Sequence, residues 1–244
     1  KRAFSHASSG KRCPPLEEEQ VAVFLREVQG HPHEYLYKIA LFTGLREGEV
    51  LGLGWEHIDF QTGTLTVKRQ LRREQKKGGG HYFSPPKNNK SRCLTLAPSV
   101  IQLFRLQKLE QNNMRMEAGD AWEEHGLIFT NQTGGYLSYR TVYDCFKRIA
   151  EASVTGQRFH DLRHTFAVAS IKSGDDIKTV QENLGHATAA FTLDVYGHVT
   201  KQMKRDSAQR MEQFIQADLL DDTIREKIRE KRKNSKRKSL ETLV

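Results

Sequence analysis

Three short segments hold side chains whose types and spacing could carry chemistry. The first is TGLREGEVLGLGW, with Arg46 at a helix start and Glu49 three residues on. The second is HDLRH. In a helix, His160, Arg163 and His164 fall at i, i+3 and i+4 and share one face, while Leu162 and Phe166 lie on a different, core-directed face. The third is LGHATAAFTLDVYGHV, where His186 follows a glycine that closes a helix and Tyr196 stands ten residues further on. A cation and two imidazoles on one face are costly unless an anion or open solvent answers them. Each segment alone also has an ordinary explanation: a surface cluster, an intrahelical ion pair worth little, an amphipathic core tyrosine. His160 and His164 have the spacing of zinc ligands. The Glu of HExxH is missing, however, and a guanidinium between the rings repels a cation, so no metal is expected.

A fourth segment, PPKNNKSR, places Lys87 and Lys90 just before an apolar strand. In this order the four segments resemble the boxes of the tyrosine recombinase family, the integrases and related site-specific DNA recombinases. TGLREGE is similar to the first arginine box, HDLRHTFA to the His-x-x-Arg-His box, LGH with Tyr196 to the third-histidine and nucleophile box, and PPKNNKSR to the β-hairpin lysine segment. The resemblance covers roughly residues 14–215.

It implies cleavage of a DNA phosphodiester without metal or cofactor, the bond energy being kept in a 3′-phosphotyrosyl link. Tyr196 is the implied nucleophile. A phenol, with a pKa of about 10, leaves readily enough for a DNA 5′-hydroxyl to reseal the strand. The resemblance assigns Arg46 and Arg163 to the non-bridging oxygens, whose geometry a guanidinium fork matches. His186 adds a hydrogen bond to the same phosphate. Losing one such donor costs on the order of 10²–10³ in rate. Lys87, with Lys90 as the alternative, protonates the leaving 5′-oxygen. His160 handles the proton at the nucleophile, Glu49 holds the arginine box in place, and His164 is structural.

The elements that must position these groups follow from pattern. LEEEQVAVFLREVQG has acids in its first turn and Val21, Phe24, Leu25 and Val28 on one face, a helix ended by Gly30. YLYKIALFTG is apolar nearly all round, as a buried helix is, and REGEVLGL forms a further short helix. Ile58 to Leu71 reads as a β-hairpin turning at Gln61-Thr62-Gly63. Residues 71–90 read as a polar, basic loop, and residues 91–97 as a third strand. Helices follow from Pro98, from Ser138, over 160–173 to a stop at Gly174, from an Asp175 or Asp176 cap to Gly185, over about 190–196 and over 200–216. GLIF at 126–129 is a short extended piece. The fold class is α+β, a mostly helical tyrosine-recombinase-type catalytic domain with a small three-stranded antiparallel sheet.

The domain reading is an arm or linker at 1–13, a catalytic domain at 14–216, and a basic helix or tail at 217–244. The chain starts with Lys1 and reads as a fragment, with an N-terminal core-binding domain expected upstream. Net charge is +9 over 244 residues, but residues 224–238 alone carry +7. The remainder therefore says little by charge alone, although the total points to a polyanion. Three scattered cysteines without CxxC spacing argue against a disulfide framework and fit a cytoplasmic setting. No apolar run is long enough to span a bilayer.

The implied substrate is double-stranded DNA. Lys68, Arg69, Arg72, Arg73, Lys90 and Arg92 in the basic stretch 68–92 are the expected backbone contacts. The family works as a tetramer on two duplexes, with C-terminal segments exchanged between protomers. Two other readings stand beside it. Residues 166–186 permit a helix-turn-helix regulator without chemistry, and the same catalytic groups permit a type IB-like topoisomerase.

Overall fold

A computed structural model of the chain describes residues 15–74, 76, 79–87, 89–153, 157–186, 205 and 207–216. Apolar residues at helical spacing draw α1 (Glu18–Glu27) and α2 (Glu34–Thr43) onto one core. Phe24 and Val28 are buried from α1, and α2 is buried on nearly all sides, with only Phe42 strongly exposed among its apolar residues. α3 (Glu47–Leu51) follows at once. The long α4 (Pro98–Ala118) starts on a proline, which costs nothing where the first N–H has no helical partner. α5 (Tyr139–Ser153), α6 (Phe159–Lys172) and α7 (Ile177–Leu184) follow. Asp176 caps α7, its carboxylate accepting from the backbone N–H groups of Lys178 (2.8 Å) and Thr179 (3.0 Å). Phe24, Tyr37, Phe146 and Phe159 form an aromatic cluster with ring centroids 5.6–6.1 Å apart. It joins α1, α2, α5 and α6, and truncating one such ring costs about 3–5 kcal/mol.

The expected three-stranded antiparallel sheet is present, in the order β1 (Ile58–Asp59), β2 (Thr64–Val67), β5 (Arg92–Thr95). Leu65 faces both Ile58 and Leu94 across the strands, so the pleat puts a continuous apolar row toward the core. The stretch 71–90 is not the plain loop the composition suggests. β3 (Gln70–Arg73) and β4 (His81–Ser84) pair antiparallel as a separate two-stranded ribbon. Its anchors come from elsewhere in the chain. Leu71 is buried, its carbonyl accepts from the Tyr139 hydroxyl, and the rings of His81 and Phe83 pack on Tyr136. GLIF makes a single bridge, Leu127 to Gly54, rather than a strand.

The chain divides into two units, Lys1–Val195 and Tyr196–Val244. In the second, residues 205 and 207–216 are helical, with Met211, Phe214 and Ile215 exposed. The expected arm at 1–13, the helix near 190–196, Tyr196 itself and the segment 217–244 lie outside the described residues. No described helix is long and apolar enough to cross a membrane.

Candidate active site

The site is assembled where α2, α3 and α7 end or begin. Gly44 closes α2 with a left-handed φ of 63°. A Cβ there would stand 2.5 Å from the Phe166 ring and 2.8 Å from Leu184, so both conformation and packing require glycine. The turn buries Leu45 and leaves Arg46 extended at the start of α3. Glu49 reaches back: its Oε2 accepts from the Arg46 backbone N–H (3.0 Å) and its Oε1 from Arg46 Nη1 (2.8 Å).

This is not a surface pair of little worth. The Glu49 side chain is 0% exposed, and a second guanidinium, Arg92, donates to both its oxygens, Nη1 to Oε1 at 3.0 Å and Nη2 to Oε2 at 2.7 Å. Burial by itself would raise the Glu49 pKa. The Arg92 fork and then Arg46 outweigh it and hold the carboxyl at about 2.

Arg163, on α6, is only 3% exposed. Its Nη1 donates to the Gly44 carbonyl (2.7 Å) and its Nη2 to the Leu184 carbonyl (2.6 Å), fixing the guanidinium between the ends of α2 and α7. Arg92 Nε donates to the neighbouring Asn183 carbonyl (2.8 Å). Two arginines thus satisfy carbonyls that the end of α7 cannot pair internally, at the negative pole of its dipole.

His186 follows. Its backbone N–H donates to the Gln181 carbonyl (3.1 Å), and its own carbonyl accepts from Gln181 Nε2 (3.1 Å). Desolvation, followed by the charges of Arg163, Arg46, His164 and Arg92, lowers its pKa to about 3. The imidazole is therefore neutral at pH 7, and Arg46 and Arg163 act on the same ring.

His160 and His164 meet edge to face, with ring centroids 4.9 Å apart, as the i, i+4 spacing predicts. His160 keeps solvent access. The protein mass around its ring, then His164 and Arg163, lowers its pKa to about 4. Lys87 is exposed in a turn closed by the Asn89 N–H donating to the Pro86 carbonyl (2.8 Å), and Lys90 is exposed just beyond it. Lys68, Arg72 and Arg73 are exposed as well.

Two of the basic residues expected to track DNA are engaged by protein partners. Arg69 lies over the Phe83 ring (4.1 Å), donates to the Gly52 carbonyl (2.9 Å) and pairs with Glu56 (3.1 Å). Arg92 is committed to Glu49 and Asn183. Sequence reasoning missed this because neither partner is near in the chain: Glu49 lies 43 residues from Arg92, and Asn183 lies 91. The only local hint is that Arg92 alternates with the buried Leu94 on one face of its strand, while Cys93 and Thr95 between and beyond them are exposed.

Gly185 caps α7 at φ 63°, and a Cβ on it would stand 3.1–3.4 Å from Cδ, Nη1 and Cζ of Arg92. Gly185→Ala is expected to cost about 1–2 kcal/mol from the left-handed backbone alone, and more from displacing Arg92. A thermal melt lowered by several degrees checks this; an unchanged midpoint contradicts it.

A cavity of about 1150 Å³ lies at the opposite end of α2, lined by Gly30–Tyr35 and part of α4. What distinguishes the site is convergent positive charge around neutral imidazoles, an arrangement suited to holding an anion.

Comparison with known proteins places the chain beside a coherent set. The Phage integrase family profile matches residues 15–203. The chain is 29% identical over 207 residues to a "Tyrosine recombinase XerC-like" protein of Caldanaerobacter subterraneus subsp. tengcongensis, covering 80% of this chain and 53% of that one. It is 31% identical over 180 residues to "Tyrosine recombinase XerC" of Oceanobacillus iheyensis, covering 73% and 52%. The chain thus spans about half the length of these relatives. Among solved structures, the Tn1549 transposon integrase (residues 82–397), in complex with circular-intermediate DNA, superposes with a TM-score of 0.68 at 24% identity, covering 84% of this chain and 69% of that one. The catalytic domain of bacteriophage HP1 integrase superposes with a TM-score of 0.51 at 20% identity, covering 76% and 88%. Both likenesses are of fold.

Proposed function

The chain belongs to the phage integrase family, and from that premise we propose that it is the catalytic part of a site-specific recombinase that cleaves and rejoins duplex DNA without metal or cofactor. The observation that carries this reading is that the Arg163 guanidinium bridges the carbonyls of Gly44 and Leu184, two residues before Arg46 and two before His186, while Arg92 ties Glu49, the partner of Arg46, to the Asn183 carbonyl.

In the proposed reaction the Tyr196 hydroxyl oxygen attacks the scissile phosphorus. The bond between phosphorus and the 5′-oxygen breaks, and a 3′-phosphotyrosyl link forms. His160, neutral at pH 7, takes the phenol proton. Lys87 gives a proton to the departing 5′-oxygen, with Lys90 as the alternative donor. Charge building on the non-bridging oxygens is met by Arg46 and Arg163, and by the N–H of His186. Rejoining runs the same steps backward from a 5′-hydroxyl. Residues 14–216 form the catalytic domain in this reading, residues 1–13 an arm, and residues 217–244 a basic helix or tail. A tetramer on two duplexes, with exchanged C-terminal segments and an N-terminal core-binding domain closing round the DNA, belongs to the whole protein. Lys68, Arg72, Arg73 and Lys90 remain the proposed backbone contacts.

A helix-turn-helix regulator would use α6 and α7 to read DNA. It gives no reason for a carboxylate at zero exposure shared by two arginines beside His186.

The test is incubation with a nicked suicide substrate in EDTA, followed by a denaturing gel. A covalent protein–DNA band is expected; its absence with intact binding favours a regulator. On the same substrate Lys87→Ala should slow cleavage by about 10²–10⁴-fold. A 5′-thiol leaving group, which needs no proton, should restore the rate. If it does not, the general acid is another residue.

A further inference from the structure

We propose that Arg92 is a positioning residue of the cleavage site, keeping Arg46 effectively cationic toward the phosphate by sharing Glu49, and holding the end of α7 that presents His186. The inference rests on the proposed function for its catalytic part; the geometry stands by itself.

Glu49 paired with Arg46 alone would form a neutral couple. A carboxylate 2.8 Å from Nη1 would then compete with any phosphate for that guanidinium. Arg92 changes the balance. It takes both Glu49 oxygens through its fork, and the side chains of Arg46, Glu49 and Arg92 together carry one net positive charge. Arg46 then uses only Nη1 on Glu49. Its side chain keeps 22% exposure, and its Nε and Nη2 have no protein partner among the described residues.

Arg92 itself is not placed to meet DNA, because its Nη1 and Nη2 are on Glu49 and its Nε is on the Asn183 carbonyl. Its Nε instead takes the Asn183 carbonyl, three residues before His186, and its guanidinium packs where any Cβ on Gly185 would crowd it. One side chain therefore ties the strand that follows the Lys87 turn to the first arginine box and to the His186 loop. A lysine could supply the charge but not the fork.

The test compares Arg92→Gln, Arg92→Lys and the double variant Glu49→Gln/Arg92→Gln with the parent chain. Single-turnover cleavage at saturating DNA, DNA affinity against salt, and titration of the His186 ring by NMR are measured. Arg92→Gln leaves the charge trio neutral and should slow cleavage on the order of 10²-fold, with affinity nearly unchanged and His186 titrating at higher pH. The double variant restores one net positive charge on Arg46 and should cleave faster than Arg92→Gln, a recovery that loss of structure alone would not produce. If Arg92→Gln folds poorly, Arg92→Lys, which keeps the charge, should fall between it and the parent.

The proposal is overturned if Arg92→Gln weakens DNA binding and lowers the salt slope by about 0.9 while saturated cleavage is unchanged. Arg92 would then be a phosphate contact. It is also overturned if the double variant shows no recovery. Failure of the parent chain to form any covalent adduct would sink the recombinase reading instead, and the His186 titration would still decide whether Arg92 acts on that ring.

Discussion

Tyr196→Phe is expected to abolish the covalent protein–DNA adduct, lowering its rate of formation more than about 10⁴-fold, while DNA binding stays within twofold or so. In the proposed reaction, removing one hydroxyl deletes the attacking atom and leaves the guanidinium groups assigned to the phosphate. Cleavage should therefore vanish without a matching loss of affinity.

The described tyrosines make the choice sharper. The Tyr37 hydroxyl donates to the Val142 carbonyl (2.9 Å), and burial raises its pKa. The Tyr139 hydroxyl donates to the Leu71 carbonyl, and burial pushes its pKa up to about 12. A phenol already spent on a carbonyl, and harder to ionise, is a poor nucleophile. Tyr82 and Tyr143 are exposed and serve as controls: Tyr82→Phe and Tyr143→Phe should leave the adduct intact. A band that persists in Tyr196→Phe and disappears in either control would reassign the nucleophile.

The second large effect is on stability. Glu49→Gln should destabilise the fold by about 3–5 kcal/mol, lowering the thermal midpoint on the order of 10 °C for a chain of this size. The reason is charge: Glu49 is fully buried between Arg46 and Arg92, and removing it leaves two cations facing each other with Arg163 and His186 close by.

The pH dependence has a definite sign. The folded carboxyl is held at about 2, below its unfolded value of about 4.3. Its stabilisation is present above that unfolded value and is lost as pH falls from about 4.3 toward 2. His186 acts in the same direction over a higher window. Its folded pKa of about 3 lies below the unfolded value of about 6.5, so the unfolded chain takes up protons that the folded one refuses. Melts between pH 7 and pH 2.5 should show the parent losing stability throughout the descent, with Glu49→Gln flatter below about pH 4.5. Parallel curves for the two would mean that Glu49 is not a buried, paired anion.

What the amino-acid order determined by itself was whatever depends on neighbours a few positions away. Helical spacing set His160 against His164, glycine closed α2 at Gly44 and α7 at Gly185, an aspartate at 175 or 176 capped α7, and alternation around Gln61-Thr62-Gly63 marked β1 and β2. Each of these is decided by backbone sterics or by a single local hydrogen bond, so type and spacing suffice. The four segments and their order are of this kind.

Tertiary structure alone decided which charges are paired. Apart from the alternation of β5, nothing near Arg92 or Arg69 distinguishes them from Lys68 or Arg72, yet two of the four are held by protein partners because Glu49, Asn183, Gly52 and Phe83 arrive beside them in the fold. The β3–β4 ribbon was hidden for the same reason. Its Gly-rich, basic tip reads as loop, and the contacts that order it, Tyr139 on Leu71 and Tyr136 on His81 and Phe83, come from residues more than fifty positions away. A buried ion pair is stable only when both desolvated partners meet with good geometry, and that meeting is a property of the folded chain.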